Sequence, residues 1–293
     1  MTITKTSFQE LLLRKFDSYR VAKKALKNPF TGDNSENFGL FLPQKGFKEL
    51  PKTFKAGYTP HTIKDVCDTV AAAEAVMDFS NAHMKVRWDN GHRISFQFGD
   101  TVEITPGDRV QPTFDLSCGY DGTSFKVVCG LFRMVCSNGL VVPVKDTKFC
   151  MTRLTHSANL HDKMPLLISE IEQTVKGISE MIGYAKNLSE KKVNFEQIYK
   201  KIYGERPETG RSATNWDNRK SGIEDIVVKE SASLGKDSTE WYNGLTSAWL
   251  MVNAVQGYYQ HKSSNTAKRT PFAARDWANS QPAVAAAWQA VAA

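Results

Sequence analysis

Apolar residues recur along this chain with two periods, and the switches between them outline its elements. From Ser7 to Leu26 they fall at Phe8, Leu11, Leu12, Phe16, Tyr19 and Val21 with Lys and Arg between, which predicts an amphipathic helix with a basic face. Asn28 to Pro60 is rich in turn residues and reads as a long connector anchored by Phe38, Phe47, Phe54 and Tyr58. Helical spacing returns from Thr62, a candidate N-cap, through Ile63, Val66, Cys67, Val70, Ala73 and Val76 to Phe79.

The period then falls to two. Met84 to Trp88, the turn Asp89-Asn90-Gly91 and His92 to Phe98 predict a β-hairpin, and Thr101 to Ile104 and Val110 to Ser117 extend the strand signal. After the turn Gly119 to Thr123, Ser124 to Val135 is predicted as a long central strand, joined through Asn138-Gly139 to a partner at Leu140 to Val144. No helical crossover separates His92 from Val144, so these strands pair antiparallel.

Helices dominate the rest. Met164-Pro165 is expected to open one over Leu166 to Lys186, and Asn194 to Tyr203 forms a shorter one closed by Gly204. Glu205 to Gly222 is polar and basic and is expected to be a mobile surface loop. Ile223 to Ser233 and Ser238 to Gln260 are helical, the latter with Trp241, Leu245, Trp249, Val252 and Tyr259 at core spacing, and residues 263–293 read as a peripheral tail and assembly arm. The expected fold is α+β, an antiparallel β-meander packed by several helices. Its organisation is a basic N-terminal segment 1–60, a core domain 61–262 and the tail.

In the central hairpin, Gly-Leu-Phe-Arg-Met-Val-Cys-Ser-Asn-Gly-Leu from Gly130 to Leu140 resembles the signature of the phage/plasmid-like proteins, a family with a domain of unknown function found on prophages and plasmids. Asp121-Gly122-Thr123 sits where that family carries an Asp-Gly-Ser turn. Thr246 to His261 is similar to its late helix, with Trp249, Asn253-Ala254-Val255, Tyr258-Tyr259 and His261. The resemblance spans roughly Thr62 to His261 and implies a mobile-element setting without naming a reaction.

Charge narrows the choice of partner. The 293 residues carry a formal net charge of +7, and Met1 to Pro60 alone holds eleven Lys or Arg against five carboxylates, which favours an anionic partner. Arg211, Trp216, Arg219 and Lys220 in the basic loop, with Lys200, Lys201 and Tyr203 before it, supply phosphate donors and aromatic rings of the kind that hold single strands. Arg133, apolar on both sides, must pair with a carboxylate, the favoured reading, or face a groove, because an unpaired buried guanidinium is costly, and for the second case it is counted among the candidate nucleic-acid contacts.

Other chemistry is poorly supported. The five cysteines, Cys67, Cys118, Cys129, Cys136 and Cys150, contain no C-x-x-C pair and read as reduced structural thiols. His156 and His161 stand five apart, so no metal or other cofactor is expected. No base is placed for Cys136 or Ser137, no paired pattern joins Glu103, Asp115, Asp121 and Asp146, and no phosphate-loop motif occurs. The N-terminus lacks an apolar signal region and no long apolar run exists, so a cytoplasmic, non-membrane protein is expected.

The expected function is therefore non-enzymatic, oligomeric binding or annealing of single-stranded DNA in recombination or replication. Two alternatives are an anti-defence protein that binds a host immune complex and a metal-dependent nuclease.

Overall fold

In the computed structural model, residues 8–46, 48–77, 82–88, 90–134, 138–140, 151–235, 243–262 and 271–292 are described. The first part of the chain contains α1 (Phe8–Phe16), β1 (Ala22–Lys27), β2 (Asn34–Leu42), β3 (Lys48–Lys55) and α2 (Ile63–Val76). Seven strands follow: β4 (His83–Trp88), β5 (Gly91–Gln97), β6 (Val102–Thr105), β7 (Asp108–Gly119), β8 (Phe125–Arg133), β9 (Asn138–Leu140) and β10 (Met151–Leu154). Then come α3 (Leu160–Lys176), α4 (Ile178–Glu190), β11 (Lys192–Asn194), α5 (Phe195–Tyr203) and α6 (Gly210–Ser233). The described elements end with β12 (Leu245–Ser247), α7 (Ala248–Gly257), α8 (Pro271–Asn279) and α9 (Pro282–Ala292). The fold is α+β with antiparallel sheets, as expected.

The chain divides into two compact units, each drawn from separated segments: 1–99, 114–129 and 151–176 in the first, and 100–113, 130–150 and 177–293 in the second. In the first unit the predicted hairpin is present, β4 and β5 pairing antiparallel from His83↔Gln97 to Trp88↔His92. The strands follow the order β4, β5, β7, β8, β10, and β10, absent from the sequence reading, pairs antiparallel with β8. Thr62 caps α2 as expected: its hydroxyl accepts from the Asp65 amide at 3.1 Å while the Asp65 carboxylate accepts from the Thr62 amide at 2.6 Å.

The N-terminal region departs most from expectation. The first helix ends at Phe16, and residues 22–55 are no connector but a three-stranded antiparallel sheet in the order β1, β2, β3. Leu40, Leu42 and Leu50 on one side of it join a buried cluster with Tyr120, flanked by Tyr19, Phe54, Tyr58 and Trp88. Ala-Lys-Lys-Ala-Leu-Lys has no alternating pattern of its own; pairing with Phe38 to Phe41 makes it a strand.

In the second unit α7 is buried along all ten residues, Asn253 and Gln256 included. Two sequence boundaries move. The predicted long helix is two, α3 and α4, meeting at Gly177, and Pro165 lies inside α3 rather than at its start. The supposed loop over Glu205 to Gly222 is mostly helix α6, whose buried Ala213, Trp216, Ile223, Val227 and Glu230 share one face despite weak helix formers between them. The C-terminal segment is not peripheral, because α9 buries Val284, Ala287, Trp288 and Val291. Trp241 and the partner strand beyond Leu140 lie outside the described residues; the part within them pairs Leu131↔Leu140 to Arg133↔Asn138.

Candidate functional site

Of the residues singled out for nucleic-acid contact, most are committed to the protein itself. Arg133 is fully buried: its Nε and Nη2 each donate at 2.7 Å to the two Asp108 oxygens, and Nη1 pairs with Glu230. The Trp249 indole also donates to Asp108, at 3.0 Å. This is the paired structural arginine, and Arg133 is withdrawn from any surface. Trp216 is 7% exposed and donates to the Gly204 carbonyl at 3.2 Å, so its ring is no open stacking platform.

The cations on α5 and α6 are largely neutralised. Lys200 pairs with Glu205 at 2.9 Å, Lys220 with Glu196 at 2.5 Å, and Arg206 with Asp217 at 2.7 Å. The Arg219 guanidinium lies 4.7 Å over the Tyr203 ring, holding both. Arg211, in the first turn of α6, and Lys201 stay exposed, and among the described residues neither has an ion-pair partner.

A more open basic surface lies on β1 to β3, which the sequence reading left as a connector. Residues 22–58 contain seven lysines against three carboxylates. With Leu40 and Leu42 facing the core, the alternate residues of β2 point the other way. On that outer face Gly39 is covered by Phe41 and Leu26: a Cβ on Gly39 would lie 2.9 Å from the Phe41 ring and 3.0 Å from Leu26. Glycine leaves room for the half-buried phenyl ring, whose Cε2 and Cζ atoms come nearest. Cross-strand register puts Lys24 and Thr53 opposite Gly39, Lys55 opposite Asn37 and Glu49 opposite Phe41, all exposed except Gly39, Asn37 and Phe41. The β1–β2 turn is held by Asn28, whose side chain accepts from the Phe30 amide at 2.9 Å, and it presents Phe30 96% exposed beside Lys27.

A second grouping, in the interior of the first unit, carries no sequence motif. His61 directly precedes the Thr62 cap, which fixes its position; His92 opens β5 and Cys118 lies near the end of β7. Gly91 lets β5 and β7 meet closely, since a Cβ there would lie 2.1 Å from the Cys118 carbonyl oxygen. His61 Nε2 and His92 Nδ1 are 2.9 Å apart. His61 stacks on Tyr120 with ring centroids 4.2 Å apart and 9° between planes, and the Tyr120 hydroxyl donates to the His61 carbonyl at 2.9 Å.

Both imidazoles are buried and held neutral. Burial depresses His61 well below its ordinary value, with His92 beside it adding to the effect, and burial with nearby Arg93 brings His92 down to about 3. A neutral pair shares one proton across its 2.9 Å contact, which leaves His61 Nδ1 and His92 Nε2 buried without partners among the described residues. His156, 5.2 Å from His61 between ring centroids, likewise has a buried unpartnered Nε2. Each such group costs about 1–3 kcal/mol in a closed interior. Cys67, Cys118 and Cys129 are buried and in no disulfide, as expected; Cys136 and Cys150 lie outside the described residues.

Fold and surface together define an α+β protein with antiparallel sheets, an exposed basic–aromatic sheet face and a buried imidazole–thiol cluster. Residues 52–288 match the family described as Domain of unknown function (DUF932), and the chain belongs to that family. The match begins within β3, so most of the basic sheet precedes it. No curated protein and no solved structure matches the chain. Among the described residues, no helix is long and apolar enough to cross a membrane.

Proposed function

We propose that the protein is a non-enzymatic nucleic-acid-binding factor of phage or plasmid origin, and that it holds single strands on the outer face of β1 to β3. The observation that carries this reading is Phe41 lying over Gly39 on a solvent-facing antiparallel sheet, with exposed Lys24 on one flanking strand and Lys55, paired at 3.4 Å with the exposed Glu36, on the other. Single strands are held by aromatic rings that stack bases and cations that track phosphates, and this face supplies both without requiring a base sequence. Phe30 and Lys27 at the hairpin tip extend it. The phage or plasmid setting rests on the resemblance of the Gly130 to Leu140 run.

The surface first suggested by the sequence contributes less, because carboxylates already neutralise Lys200 and Lys220. Fluorescence anisotropy with labelled single and double strands across a salt series tests the proposal. Preference for single strands, with affinity falling by a log–log slope of roughly −0.7 per phosphate contacted, is the expected result. Absence of binding at low salt, or a flat salt dependence, overturns it.

A further inference from the structure

His61, His92 and Cys118 are 31 and 26 residues apart in successive steps, yet one ligand atom from each lies within 4.8 Å of the others. All three are buried. We propose that these three side chains form a binding site for one divalent transition-metal ion of the zinc class.

The donor set suits that chemistry. Two neutral imidazoles and a thiolate are borderline-to-soft ligands that favour zinc over calcium or magnesium, and a bound thiolate offsets half of the ion's charge in an interior that holds no other anion in the set. The 2.9 Å nitrogen–nitrogen contact is close to the roughly 3.3 Å spanned by two imidazoles on one tetrahedral zinc ion. A metal would replace the shared proton between them, and the pair opens by a few tenths of an ångström. Cys118 must come closer, which a thiol on a short side chain can do by rotation about Cα–Cβ.

His61 is held from behind by its stack on Tyr120 and by the hydrogen bond to its carbonyl, so its ring is oriented before any ion arrives. An ion here would tie the residue before α2 to the neighbouring strands β5 and β7, at the beginning of one and near the end of the other. Its role is a structural brace in the first unit, separate from the nucleic-acid face.

The test uses the full chain, purified reduced, stripped with chelator and titrated with cobalt(II) and then zinc(II). One cobalt per chain with a near-ultraviolet thiolate-to-cobalt charge-transfer band, displaced by zinc, is expected, together with a rise in thermal midpoint on zinc addition. Cys118→Ser should abolish the band and weaken binding at least tenfold, and His92→Gln should weaken it comparably. A folded, stripped chain that takes up no cobalt, or a band unchanged in Cys118→Ser, overturns the proposal. If the variants do not fold, X-ray absorption of the zinc-loaded unsubstituted chain decides. A shell with one sulfur near 2.3 Å and imidazole nitrogens near about 2.0 Å supports the site, and an oxygen-only shell rejects it.

Discussion

The guanidinium of Arg133 grips the carboxylate of Asp108 through two parallel 2.7 Å hydrogen bonds, with both side chains fully buried. Glu230 takes a third donor and Trp249 a further Asp108 oxygen contact, so one cation answers two carboxylates in the core of the second unit. Removing the cation leaves buried charge behind. Arg133→Met should cost about 3–5 kcal/mol in denaturant unfolding. Pairing it with Asp108→Leu should recover part of that loss; a single variant with near-native stability would show that the network contributes nothing.

Gly91 sets the approach of β5 to β7. Gly91→Ala forces a methyl against the Cys118 carbonyl, which backbone cannot yield to cheaply, and about 2–3 kcal/mol of destabilisation is expected. The same variant should impair cobalt uptake, because it separates His92 from Cys118. Gly32→Ala in the exposed turn, where no atom lies within 4 Å of the added carbon, serves as a comparison for the backbone effect alone.

On the sheet face, Lys24→Glu with Lys55→Glu should weaken single-strand binding at least tenfold at moderate salt and flatten the salt slope by about one to two phosphate contacts. Phe41→Ala should lose about 1–3 kcal/mol of binding with the slope unchanged, the mark of lost stacking rather than lost charge. Lys200→Glu, already paired in the native chain, should have little effect. The reverse ranking in an anisotropy titration would return the binding surface to α5 and α6.

The chelated protein should lose stability in mild acid. An unfolded histidine titrates near 6.5, whereas folded His92 holds out to about 3, with Arg93 and the neutral His61 beside it. Between those values the unfolded chain binds more protons, so stability is complete above roughly pH 6.5 and falls as pH is lowered toward 3. Each buried histidine contributes a slope of up to about 1.4 kcal/mol per pH unit. Urea midpoints measured from pH 7 to 5, before most carboxylates titrate, should fall in the native chain and less steeply in His92→Gln.

What the chain alone determined is what short-range patterning can carry. The alternation around Asn90-Gly91 and the Thr62 cap each depend on residues a few positions apart, and each reappears in the structure, whereas Asn138-Gly139, expected as a turn, is paired with β8 as part of β9. The cost of an unpaired guanidinium favoured a carboxylate partner for Arg133 but left it among the nucleic-acid candidates, and only the folded chain, by placing Asp108 and Glu230 on it, decided for the partner. Tertiary structure decided the rest. Ala22 to Lys27 became a strand only against β2, and the polar run at Gly210 to Gly222 became helix because Ala213 and Trp216 found a core to face. Carboxylates brought close by the fold, Glu205 beside Lys200 and Glu196 beside Lys220, neutralised lysines that composition had marked as available. His61, His92 and Cys118 share no motif; a helix cap, a glycine contact and two neighbouring strands bring them together, and no local pattern encodes the distance between segments that meet only in the folded chain.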